Sequence, residues 1–208
     1  MSGEGISRRQ ALTGGAAVAA TAWVAPSVLR LDRIAAATPS RDYELLYSED
    51  FEGAIGAPGL ASWSNINTEM PTSSRTILGR FGNDDVALRV ALPPHQCVRI
   101  CFDLFVNDSW DGTNPTYGGP DRFGFAIDGT TVWNEPYTLT NAPAGGTIIE
   151  GPGQLWFTTG QFWTDRVIQY CVEVDHTDPA IQFNFFGSGL QRISDESWGL
   201  DNVEVFTA

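Results

Sequence analysis

The 208-residue chain contains no lysine. Its 12 basic residues are all arginine and face 25 aspartates and glutamates, for a formal net charge of −13. An excess of that sign repels phosphate, which argues against nucleic acid or an anionic membrane surface as a partner. It suits divalent cations, neutral ligands such as sugars, or a solvated acidic surface that binds nothing. Histidine is scarce as well. His95 and His176 stand far apart, and with only three cysteines they offer no zinc-site spacing. No Gly-x-Ser-x-Gly elbow, Walker loop or dinucleotide fingerprint occurs. The two carboxyl groups that a glycosidase needs are approached only by Glu173-Val174-Asp175, a pair that an exposed sheet face explains equally well. The reading leans away from an enzyme, with an unrecognised polysaccharide-active enzyme as one alternative.

Uninterrupted apolar runs are also missing. The longest candidate, Ala11 to Val28, is broken by Gly14, Gly15 and Pro26, whereas a membrane-spanning helix needs about 20 consecutive apolar residues. Arg8-Arg9 precedes this run, and Ala35-Ala36-Ala37 follows it with the small-x-small form of a signal-peptidase site. The paired arginines, the mild hydrophobicity and the late Arg30 and Arg33 resemble a twin-arginine signal, the bacterial address for proteins exported already folded. The resemblance implies a signal peptide over residues 1–37 and a single domain over 38–208. The mature protein would then be periplasmic, cell-surface or secreted, with no membrane segment. That domain keeps 8 basic and 23 acidic residues, a net charge of −15.

Export to an oxidising compartment permits a disulfide among Cys97, Cys101 and Cys171. Cys97 and Cys101 lie four apart on one expected strand, which separates their Cα atoms by about 13 Å. Pairing requires ~4.4–6.8 Å. A bridge would therefore join Cys171 to Cys97 or to Cys101, with Cys101 favoured.

From residue 44 onward the pattern is that of strands. Val98, Ile100, Phe102, Leu104 and Val106 alternate with Arg99, Cys101, Asp103 and Phe105, the period-two mark of a half-buried strand. Comparable runs occupy 44–51, 86–92, 123–127, 131–137, 154–158, 167–175, 181–186 and 198–206. Turn clusters such as Asp128-Gly129 separate them. About nine antiparallel strands with no capped helical segment predict an all-β, two-sheet antiparallel β-sandwich of jelly-roll type. The stretch from Thr138 to Gly153 reads as irregular.

Function is sought in the loop from Asn107 to Asp121. Asp108, Asp111, Asn114 and Asp121 supply the oxygen ligands that a hard cation takes in sixes to eights, although EF-hand spacing is lacking. Turn-forming Asp and Asn account for the same composition. Trp110 and Tyr117, with Asn114, Asp121 and Arg122 beside them, are candidates for stacking on a sugar and bonding its hydroxyls. Trp133, Tyr137 and Trp156 are further aromatics near turns or strand ends.

The chain ends carry Glu49-Asp50-Phe51-Glu52-Gly53 and Leu200-Asp201-Asn202-Val203. These motifs resemble the calcium-stabilised jelly-roll modules of secreted bacterial proteins, among them many carbohydrate-binding modules, and also extracellular MAM domains. The resemblance implies a structural calcium shared by Glu52 and Asp201, with Asp50 as a weaker ligand. MAM domains carry a fuller cysteine framework than this chain has. Leu78-Gly79-Arg80-Phe81-Gly82-Asn83 and Gly119-Pro120-Asp121-Arg122-Phe123 resemble runs in exported, surface-associated bacterial proteins. A calcium-stabilised, non-catalytic binding module for carbohydrate is the expected function. A structural or adhesive surface protein with a protein partner is the other reading.

Overall fold

The computed structural model describes residues 41–70, 75–138, 140–154 and 165–208, all in strands, turns and one short 3-10 turn, Pro143–Gly145. The strands are β1 (Glu44–Glu49), β2 (Ala61–Trp63), β3 (Thr68–Glu69), β4 (Ile77–Phe81), β5 (Asp85–Ala91), β6 (Cys97–Asp108), β7 (Arg122–Ile127), β8 (Thr130–Pro136), β9 (Thr147–Gln154), β10 (Asp165–Asp175), β11 (Ala180–Ser188) and β12 (Glu196–Thr207). They form two antiparallel sheets. The larger runs β3-β4-β12-β6-β10-β9, with β1 also paired to β12, and the smaller runs β2-β5-β11-β7-β8. Strands β4 to β8 and β10 to β12 trace the jelly-roll wiring, in which successive strands, apart from the β7–β8 hairpin, cross between the sheets and return beside earlier neighbours.

The alternation in β6 explains the layering. Val98, Ile100, Phe102, Leu104 and Val106 all enter the core between the sheets. They meet Ile181, Phe183 and Phe185 of β11 and Phe123, Phe125 and Ile127 of β7. Phe102 lies within 5.4 Å, centroid to centroid, of Phe125, Tyr170 and Phe185. Such contacts add to the area that each ring buries. On the outer face of the larger sheet, Phe105 joins Ile77 and Val167 in a small second cluster. The Arg75 guanidinium lies over that ring at 4.9 Å.

Cys101 and Cys171 are direct cross-strand partners in the β6–β10 register, with Cα atoms 4.1 Å apart, and they form the disulfide. Cys97 is a buried free thiol. The terminal strands lie side by side, Glu49 opposite Val203.

Twelve strands occur among the described residues, against the nine expected over the whole chain. The additions β2, β3 and β4 are short, and β9 runs through the stretch read as irregular. Its Ile148, Ile149 and Glu150 would pass for a strand, but Gly151 and Pro152 interrupt the pattern. Of the run expected over 154–158, only Gln154 is among the described residues, as are none of the proposed leader, 1–37, and not Trp156.

Candidate metal centre

Asp111, Asp121 and Glu196 bring one carboxylate oxygen each to within 4.8 Å of one another, at one end of the sandwich. Three chain segments meet there. Asp111 lies in the loop after β6, Asp121 immediately precedes β7, and Glu196 opens β12 opposite Asp108 of β6. The loop is tied down by its own backbone. Asp121 N donates to Gly112 O at 2.8 Å, Gly119 N to Asn114 O at 3.1 Å, and Tyr137 N to Asp121 O at 2.9 Å. Asp111 also bridges to Thr138. Glycine is required at 112, where φ is +64° and a Cβ would strike the Thr138 side chain. At 118, with φ +120°, a Cβ would strike the Gln191 amide.

Gln191 holds Glu196 in place. Its N–H donates to Glu196 Oε2 at 2.7 Å, and its side-chain amide donates to Oε1 at 3.0 Å and to Tyr117 O at 2.7 Å. Asp121 accepts from the Asp111 N–H through Oδ2, while Oδ1 has no partner. Both Asp121 and Glu196 are 0% exposed. Burial, and then repulsion from Asp121 and Asp111, pushes the Glu196 carboxyl up to about 7. Burial also raises Asp121, and it raises Asp111 with Asp195 adding to the effect. Buried carboxylates that repel one another and lack cationic partners are costly unless a cation joins them. The donor set is oxygen only, which fits a hard ion such as calcium and not a thiolate- or imidazole-preferring metal.

The other predicted residues are dispersed. Trp110 is 1% exposed, and its indole N–H donates to Ser197 O at 3.1 Å, so it is core and offers no face to a ligand. Trp133 and Tyr137 are core as well. Tyr117 is 65% exposed beside exposed Asn114, whose Oδ1 accepts from Thr116 N at 3.0 Å. Arg122 donates to Asn134 O at 2.8 Å. Asp108 is buried with φ +68°, and its N–H donates to Asp165 Oδ1.

At the chain ends, Asp50 accepts from Glu52 N in a local turn, and exposed Glu52 accepts from Thr76 N at 2.6 Å and Thr76 Oγ1 at 3.0 Å. Asp201 is buried opposite Asp103 of β6, with Arg75 Nε 3.7 Å from its Oδ2. Burial, with repulsion from Asp103 and Glu52, sets its pKa at about 6. A cationic side chain already stands beside this second acidic group. Glu173 and Asp175 are likewise paired, Glu173 with Arg99 and Arg41 and Asp175 with Arg41. Glu196 is the site residue that sequence missed. It sits at the head of an apolar strand, and only the turn carrying Gln191 folds it inward.

No family model matches the sequence, and no curated protein matches it. Among solved structures, the K1 cleaved adhesin domain of Lys-gingipain from Porphyromonas gingivalis W83 is similar with a TM-score of 0.43 and 16% identity, covering 78% of this chain and 98% of that one. Dimeric latent PorU from Porphyromonas gingivalis gives 0.44 and 12% identity; the match covers 79% of this chain but only 12% of that one. A family 35 carbohydrate-binding module from Clostridium thermocellum gives 0.34 and 12% identity, over 81% of this chain and 100% of that one. Carbohydrate-binding modules and adhesin domains are thus among the structures this chain is similar to, and at these values the likeness concerns architecture alone.

Proposed function

We propose that this chain is an exported, non-catalytic β-sandwich binding module in which calcium is held by Asp111, Asp121 and Glu196. The observation that carries this reading is the fully buried Asp121 carboxylate, whose Oδ1 is unpartnered and which lies among two further carboxylates with no ion-paired arginine among the described residues. Calcium would offset two of the three carboxylate charges and lock the loop after β6 to the start of β12. Carbohydrate is the proposed ligand class. Tyr117 and Asn114 support it, being exposed on the loop that the ion would order, with Tyr117 joined to Glu196 through Gln191. Arg122 lies at the next strand start. Glu52, Asp201 and Asp50 form a second, weaker place for an ion, where Arg75 now stands. A protein partner is the other reading, favoured by exposed Met70 and Ile193 flanking Arg80, which reaches Glu69 and Ile193 O.

Thermal unfolding in EDTA and then in millimolar calcium tests the metal. An ion at 100 times its dissociation constant adds about 2.7 kcal/mol, worth roughly 5–10 °C for a domain of this size. The rise is expected to vanish in Asp121→Asn and to survive in Glu52→Ala. The opposite pattern would move the ion to the chain ends, and no rise in the wild type would remove calcium altogether. A glycan array screened with and without calcium, using wild type and Tyr117→Ala, then decides between sugar and protein.

A further inference from the structure

Arg166 is a cation buried inside the sandwich without a counter-charge among the described residues. It continues the inward row of β10, after Val174, Val172, Tyr170 and Ile168, and is 0% exposed. Nε, Nη1 and Nη2 are all buried and all without a hydrogen-bond partner, and Arg166 forms no ion pair among the described residues. Outside those residues the sequence has only two acids, Glu4 and Asp32, both within residues 1–40; the stretches 71–74, 139 and 155–164 contain neither Asp nor Glu. Every other arginine with a described ion pair, namely Arg41, Arg75, Arg80 and Arg99, sits on the sandwich exterior with an acid in reach.

The groups around Arg166 are polar and oriented. Tyr170 Oη donates to Pro143 O at 2.9 Å, a carbonyl that can only accept. The 2.7 Å contact between Tyr137 and Tyr170 is therefore a bond donated by Tyr137. Both phenolic protons are spent. The Trp133 indole N–H, also buried, has no partner. Burial holds the Arg166 pKa down to about 10, and the only charge effects it feels come from Tyr137 and Tyr170. What Arg166 and Trp133 leave unsatisfied is thus donors alone: a guanidinium fork and an indole N–H. Leaving such a charge bare in a core is among the costliest arrangements in a folded protein, whereas a planar oxyanion matches the fork in two parallel bonds.

The geometry points to Arg166 as an internal binding site for a carboxylate. The site lies between the sheets and is distinct from the acidic cluster, whose charge would repel the same ligand. A free small carboxylate and the carboxylate of a larger acidic ligand, such as a uronic acid, share this chemistry.

Calorimetric titration of calcium-saturated protein with sodium acetate and with sodium glucuronate, at ionic strength fixed by sodium chloride, tests the assignment. Saturable binding of acetate, accompanied by a rise in Tm that chloride alone does not give, is expected. Binding of glucuronate but not acetate would identify the larger source, and both outcomes support the site. Arg166→Met, which keeps the stem and removes the charge, is expected to fold and to lose the response at least tenfold. Absence of saturable carboxylate binding in the wild type would overturn the proposal, whatever the variant does. So would a response that persists in Arg166→Met. Because the readout is taken with calcium saturating, failure here leaves the metal reading standing, and failure of the metal reading leaves this one standing.

Discussion

Trp110 shows how a residue's chemistry can be read correctly and its place wrongly. Flanked by Ser109 and Asp111, it has the neighbours of an exposed loop aromatic, yet its N–H finds Ser197 O and its ring packs edge-on to Tyr137 at 6.0 Å. A buried indole needs one acceptor, and the acceptor here comes from a strand 87 residues away. His176 supports a prediction at the same scale. It is buried, with Nδ1 2.8 Å from His95 Nε2 and Nε2 3.3 Å from Asp128 Oδ2. Burial lowers its pKa, and although Asp128 opposes that shift and His95 adds to it, the result stays below the usual value. The unfolded chain then takes up a proton near pH ~6.5 that the folded chain refuses. The stability from this site is complete above that pH and drains away as pH falls through it. His176→Asn is therefore expected to lose less Tm than the wild type between about pH 8 and about pH 5. Parallel melting curves for the two proteins across that range would contradict this.

Among elements, the long strands were legible and the short ones were not. β6 announces itself because five apolar side chains must face one sheet and the intervening residues the other. β3, at two residues, has no period to read, and exists because Thr68 and Glu69 lie against Leu78 and Ile77 of β4. The acidic cluster was half legible for the same reason. Asp111 and Asp121 stand in one loop, while Glu196 is brought to them by the pairing of β12 with β6, a relation that no local pattern contains. The β6–β10 pair also carries the disulfide, which closes a sequence separation of 70 residues. Constraining an unfolded loop of that length is worth about 2–4 kcal/mol, or roughly 5–15 °C in a domain of this size. Melting in a phosphine reductant, or of the Cys101→Ser/Cys171→Ser variant, should show a loss of that order. An unchanged midpoint would mean that the strand pairing alone carries the register.

At the scale of the whole molecule, the sign of the charge and the proposed export route can be tested together. On the proposed twin-arginine route, replacing both arginines of the pair, Arg8→Lys and Arg9→Lys, is expected to leave the full-length chain in the cytoplasm when it is expressed in a bacterium, because Lys does not reproduce the planar guanidinium that such a route would read. Fractionation and immunoblotting check it, and unchanged export would assign the leader to another pathway. The β-sandwich and its jelly-roll class were readable from strand spacing alone. Which strand lies beside which was not, because that order is set by packing across the sheets. Its consequence is one of timing. β12 lies inside the larger sheet, bonded to β6 on one side and to β4 and β1 on the other. The earlier strands leave the ribosome with a gap where the keystone belongs, so the sheet cannot close until residue 207 has emerged. Assembly is then a single late event governed by distant partners, the regime in which folding is slow and open edges need guarding.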